Sequence, residues 1–378
     1  MTTAESVREE FIRRFGGEPA LYRSPGRVNL IGEHTDYNEG FVLPAAIDRS
    51  MLIAVAPRAD RRIALYAVDR GEGHEADLDR LERTPARWPD YLLGVADRML
   101  VAGLPVGGFN CAVGGDIPVG AGLSSSAAIC AGLAFALNEL FGAGQDLLSL
   151  ARLAQAAEAE FVGVRCGIMD QFVNLHGREG HLVMLDCRSL EHELIPFPLQ
   201  EHTIVLCDTG VRRELAASAY NERRAQCEEG VEVIRKYRPE VRALRDVTLE
   251  MLARHQDELD EVVFRRCDFV VRENARVIHA VGALVRKDLA TFGRQMFASH
   301  AGLREEYEVS SPELDALATA AASTRGVLGA RMMGAGFGGC TINLVAASRT
   351  EEFEAAMRRA LPEVQILQVS IGGGTARV

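Results

Sequence analysis

The chain is almost without lysine. Of its 42 basic residues, Lys236 and Lys287 are the lysines and the rest are arginine; with 53 acidic residues the net charge is −11. That balance argues against nucleic acid as a partner, which would need a basic face. No run reaches the apolar length of a membrane span, so no membrane partner is expected. The opening Met1-Thr-Thr-Ala-Glu-Ser6 lacks the basic-then-apolar order of a secretory signal. The eight cysteines show no C-x-x-C pair and no metal-like spacing. Most of them, such as Cys111, Cys130, Cys207 and Cys340, sit in apolar contexts and read as reduced, buried thiols of a cytoplasmic protein.

What is present is a globular composition, 48% hydrophobic and 25% charged over 378 residues, enough for about two domains. The patterning predicts helices over 5–16, 86–101, 146–161, 288–299, 312–323 and 351–361, with helical pattern dominating 218–286. Strands are predicted at 20–24, 41–43, 51–57, 62–67, 108–114, 180–185, 203–207, 329–332, 340–346 and 364–369. Strands and helices mix without regular βαβ alternation, which favours an α+β fold. Pro196 and Pro198 mark a boundary, giving units over 1–195 and 196–378.

Four segments carry chemistry. The first is Pro118-Val-Gly-Ala-Gly-Leu-Ser-Ser-Ser-Ala-Ala128, which runs into an apolar helical stretch. Small residues let backbone N–H groups approach a ligand, and a helix N-terminus favours phosphate. The Lys of a Walker loop is missing, and the serines could equally be a helix cap. In the second, Arg27 and Asn29 share a face if extended, and Glu33, His34 and Asp36 cluster just after Gly32. Dense acceptors with a donor suit a polyhydroxy ligand; a solvated turn or a metal site are the alternatives. The third places Glu158 at a helix end and Asp170 among Ile168, Met169 and Phe172, where an unpaired carboxylate is costly. Either could be ordinary, Asp170 as a helix cap and Glu158 as an exposed residue. The fourth, 334–339, is glycine-rich between two strands and suggests close backbone approach to a ligand or to another loop.

In order and spacing, these four segments resemble galactokinases of the GHMP kinase superfamily, and the likeness runs through nearly the whole chain. The resemblance implies two α+β domains, an N-terminal ribosomal-S5-like one and a C-terminal ferredoxin-like one, with the active site in the cleft between. It implies transfer of the γ-phosphoryl of MgATP to the anomeric hydroxyl of α-D-galactose. Asp170 then matches the proton acceptor and Arg27 the group that stabilises the transition state. Glu33, His34, Thr35, Asp36, Gly167 and Tyr220 match sugar-binding positions. Gly120, Ala121, Gly122, Leu123, Ser124, Ser125 and Ser126 match the ATP phosphate loop, and Ser126 and Glu158 the Mg²⁺ ligands, an oxygen-only set. Trp88 and Tyr91 resemble aromatic positions near the adenine in some relatives, or are core residues. The chain departs from the usual pattern at Ala159, Arg165, Asp208, Arg213 and Met333. Asp208 and Arg213 bear on tolerance for modified sugars. Two further readings stand beside this one: a kinase for N-acetylgalactosamine, arabinose or galacturonate, and a non-catalytic sugar and ATP sensor.

Overall fold

The structure, a computed structural model, describes every residue except 1, 119, 198, 200 and 212–215. Val119 of the serine loop, Pro198 of the boundary and Arg213 therefore lie outside the described residues. Among those described, thirteen strands form three sheets. They are β1 (Ala20–Asn29), β2 (Phe41–Val42), β3 (Pro44–Pro57), β4 (Arg62–Ala67), β5 (Glu72–Asp77), β6 (Phe109–Gly115), β7 (His181–Asp186), β8 (His192–Pro196), β9 (His202–Asp208), β10 (Val327–Met332), β11 (Cys340–Ala346), β12 (Gln365–Val369) and β13 (Ala376–Arg377). The first sheet has the order β13-β1-β3-β6-β4-β5, the second β10-β11-β9-β12 and the third β2-β7-β8.

The helices are α1 (Ala4–Phe15), α2 (Trp88–Val101), α3 (Ser125–Leu140), α4 (Leu147–Ala156), α5 (Met169–His176), α6 (Ala216–Arg235), α7 (Leu249–Arg254), α8 (Glu261–Val285), α9 (Leu289–Glu305), α10 (Pro312–Ala322) and α11 (Thr350–Ala360). None among the described residues is long and apolar enough to cross a membrane. The α+β expectation holds: β3 pairs antiparallel with both β1 and β6, and the second sheet is antiparallel throughout. The six-stranded sheet packs against α2, α3 and α4 through one apolar core, while α9 and α10 cover β10.

Three differences from the sequence reading matter for the site. The first strand runs on through Asn29, so Arg27 and Asn29 do share a face, opposite Ala46 and Pro44. The helix expected over 146–161 is α4 followed by a π-helical turn, Ala157–Val162. The last two-residue strand, β13, pairs with β1, so the six-stranded sheet takes its edge from the far end of the sequence. That edge, and the charged hairpin strand β5, show no apolar alternation to read.

Candidate active site

Elements from distant parts of the chain deliver the site. α3 packs tightly on β1 because it carries a glycine where they cross. A Cβ on Gly132 would lie 2.6 Å from both Ser24 Cβ and Ile53 Cδ1. The close fit brings the serine loop at the head of α3 beside Arg27. Ser124 precedes the helix in a left-handed conformation, φ 59°, and makes no side-chain cap bond. Its hydroxyl instead donates to Asp170 Oδ2. The cap reading therefore fails for Ser124. It fails for Asp170 as well, since α5 begins without a side-chain cap and Asp170 lies in its first turn.

Asp170 faces Arg27 squarely. Nε of Arg27 donates to Oδ1 at 2.8 Å and Nη2 to Oδ2 at 2.7 Å, the fork geometry in which a guanidinium pairs best with a carboxylate. The third nitrogen, Nη1, donates to the carbonyl of Gly122 in the serine loop. Arg27 is buried. Burial works against its charge, but the carboxylates of Asp170 and Glu33 outweigh that and hold its pKa above the ordinary value.

These groups line one cavity of about 300 Å³. Of the residues assigned above to catalysis, sugar, phosphate and metal, all but Thr35 and Ala121 reach its wall. Thr35 is wholly buried, and its hydroxyl is spent on the carbonyls of Gly32 and Phe41, holding the turn that aims its neighbours. Ala121 is buried in the apolar core beneath the loop.

At one end lie the acidic residues. Glu33 is buried and held by three donors: Arg331 Nη2 and Asn29 Nδ2 donate to its Oε2, the latter at 3.2 Å, and the Gly334 N–H donates to Oε1 at 3.0 Å. His34 sits at φ 62° with Nδ1 2.9 Å from the Tyr37 hydroxyl. Burial drives its pKa down to about 3, leaving a neutral ring. Asp36 is pushed up to about 7, first by burial and then by the neighbouring charge of Asp170. Gly167 is needed beside it, because a Cβ there would meet Asp36 Oδ2 at 1.9 Å. The Tyr220 ring lies 5.5 Å from that of His34.

At the other end Glu158 points inward from the π turn, where the N–H groups of Gly163 and Val164 both donate to its carbonyl at 2.9 Å. Its carboxylate accepts from Gln171 Nε2 at 2.7 Å and meets the Ser126 hydroxyl; burial pushes its pKa up to about 7. The glycine loop after β10 approaches another loop: a Cβ on Gly334 would lie 3.3 Å from Gly122 Cα. It also puts Gly334 and Ala335 on the cavity wall. Trp88 and Tyr91 pack partly buried against the core and do not line the cavity.

Among the departures from the family pattern, Arg165 pairs with Glu228 at 2.8 Å, and its carbonyl accepts from Arg224 at the same distance. Ala159 lies on the π turn. Met333 Sδ accepts from the Asn29 N–H at 3.3 Å, and Asp208 Oδ1 from that of Gly210 at 3.0 Å. The sequence reading missed Arg331, Gln171, Tyr37 and Tyr307. Arg331 left a signal, a lone charge inside the apolar strand β10; Tyr307 left none.

Comparison with known proteins gives the family. Residues 90–178 match the family model described as GHMP kinases N terminal domain, and 280–363 the one described as GHMP kinases C terminal. These matches place the chain among the GHMP kinases. Residues 9–57 match the galactokinase galactose-binding signature. Galactokinase of Roseiflexus sp. (strain RS-1) is 45% identical over 364 residues, 95% of this chain and 92% of that protein. Galactokinase of Homo sapiens is 42% identical over 351 residues, 90% and 88% of the two chains. The crystal structure of Lactococcus lactis galactokinase complexed with galactose matches with a TM-score of 0.95 at 36% identity, covering 100% of both chains. The chain belongs to the galactokinase family.

Proposed function

We propose that the protein transfers the γ-phosphoryl group of ATP to the C1 hydroxyl of α-D-galactose, giving galactose 1-phosphate and ADP. The reading is carried by the bidentate Arg27–Asp170 pair, standing between the serine loop and the acidic end of one cavity. Phosphoryl transfer asks mainly for placement and charge stabilisation. Asp170 is the group that accepts the proton of the C1 hydroxyl. Arg27, bonded to both Asp170 and the Gly122 carbonyl, holds a positive charge where the moving phosphoryl group needs it. Glu33, His34, Asp36, Tyr220 and the backbone of Gly167 form the sugar end, and Thr35 supports it through the turn. The stretch 120–126 forms the phosphate end.

A magnesium ion fits the same reading. Ser126 and Glu158 offer a hydroxyl and a buried carboxylate in contact. Among the described residues no group of three or more His, Cys, Asp or Glu is placed to hold a metal. Magnesium needs no such group, since it takes few protein ligands and completes its shell with phosphates and water. Bound there, it would screen the charge of the nucleotide phosphates. We also read the chain as two units dividing near residue 196, and the eight free cysteines suit a cytoplasmic setting.

The test is product analysis. Purified protein is given ATP, Mg²⁺ and a panel of sugars; ADP release is followed and the phosphorylated carbon assigned by NMR. Galactose phosphorylated at C1 with the highest kcat/KM is the expected outcome. A higher value with N-acetylgalactosamine, arabinose or galacturonate would replace the sugar, and ATP binding without any turnover would favour a sensor.

A further inference from the structure

Behind the sugar end runs a line of hydrogen-bonding groups that no reaction step uses. His34 Nδ1 lies 2.9 Å from the Tyr37 hydroxyl, which lies 2.7 Å from the Tyr307 hydroxyl, which lies 3.3 Å from Cys227 Sγ. Tyr307 and Cys227 are almost wholly buried. The other ring nitrogen of His34, Nε2, is buried without a hydrogen-bond partner among the described residues, and the residue lines the cavity.

A neutral imidazole carries one N–H and one bare nitrogen, and the partner of one nitrogen decides which is which. Each hydroxyl and the thiol has a single proton; with both hydroxyl protons placed within the line, so that neither is buried unpaired, the three links run in one direction or the other. Run away from the histidine, the line ends on a thiol sulfur, a weak acceptor. Run toward it, the thiol gives to Tyr307, Tyr307 to Tyr37, and Tyr37 to Nδ1, ending on the strongest acceptor of the four. The Ala335 backbone lies beside the ring and also favours a proton on it, although none of the described residues meets Nε2 at hydrogen-bond geometry.

We infer that Tyr37 and Tyr307 are positioning residues that hold His34 as the tautomer protonated on Nε2, presenting an N–H donor to a sugar oxygen. The inference rests on the sugar-kinase reading for its ligand. Glu33 Oε1, which accepts from the Gly334 N–H alone among the described residues, keeps room for a second donor; the relay supplies a donor beside it, so a sugar hydroxyl that gives its proton to that carboxylate can accept from His34. A buried donor of this kind discriminates strongly against a ligand with no oxygen to receive it.

The experiment is ¹⁵N NMR of protein labelled at its nine histidines, without sugar or nucleotide, with the His34 signals assigned by their loss in His34→Gln. The expected spectrum has a bare-nitrogen shift at Nδ1 and a protonated shift at Nε2. In Tyr37→Phe the two tautomers mix, and the KM for galactose rises about tenfold while kcat changes much less. Tyr307→Phe acts in the same direction more weakly, and it serves if Tyr37→Phe does not fold. A wild-type spectrum with Nδ1 protonated overturns the inference, as does a single Nε2–H tautomer with unchanged KM in both variants. Because the spectrum needs no substrate, failure to phosphorylate galactose would overturn the functional reading and leave the tautomer result standing.

Discussion

At the phosphate end of the cavity, seven consecutive residues, 120–126, supply backbone groups and short side chains from one stretch of chain. At the sugar end, the side chains are held by partners far away: Glu33 by Arg331, His34 through Tyr37 by Tyr307. The first end is local structure, a loop with a helix head. The second exists only when distant strands and helices have met. A lesion at the phosphate end should therefore disturb a ligand, whereas one at the sugar end should disturb both a ligand and the fold.

The largest effect is expected where the ends join. Asp170→Asn should cut kcat by on the order of 10²–10⁴ while galactose still binds, measured by steady-state kinetics beside equilibrium sugar binding. Arg27→Ala should likewise harm kcat more than ATP affinity. Retained kcat in Asp170→Asn would remove the junction from the chemistry.

The next test sets the two ends against each other. Arg331→Met leaves the Glu33 carboxylate buried without its cation, at a cost of about 3–5 kcal/mol in denaturant unfolding, together with a raised KM for galactose. Ser126→Ala should cost no more than about 1 kcal/mol and act instead on the KM for MgATP. Equal losses of stability would erase the distinction between the ends.

The smallest effect is a slope. Burial pushes the Asp36 carboxyl up to about 7, against 3.8 for an ordinary aspartate. Between those values the folded state binds more protons at this group, so its contribution to stability falls as pH rises. Asp36→Asn removes that penalty. The difference in Tm, variant minus wild type, should become more positive from about pH 4 to about pH 7 and level off above that. A flat difference would mean that Asp36 is not held protonated in the folded protein.

The same contrast explains what the sequence disclosed. The serine loop was legible because small residues followed by an apolar helix make a local pattern, and Arg27 with Asn29 because alternation along a strand is local too. The resemblance then assigned roles that spacing could not. Thr35 and Ala121 were carried along with their motifs, yet in the fold one braces a turn and the other fills the core. The supports of Glu33 and His34 stayed hidden, since nothing near residue 331 or 307 in sequence refers to residues 33 and 34. The fold class was legible as α+β, but the pairing of β13 with β1 was not, since two residues carry no periodicity.

The π turn after α4 has a consequence for how this stretch can change. Successive residues of a helix are turned by about 100° from one another, and here one extra residue in the turn sets where Glu158 looks. Deleting Ala157 would let regular winding resume and swing the carboxylate off the serine loop, with every letter around it intact. What this turn fixes along 157–162 is the number of residues, since that number sets where the Glu158 carboxylate faces.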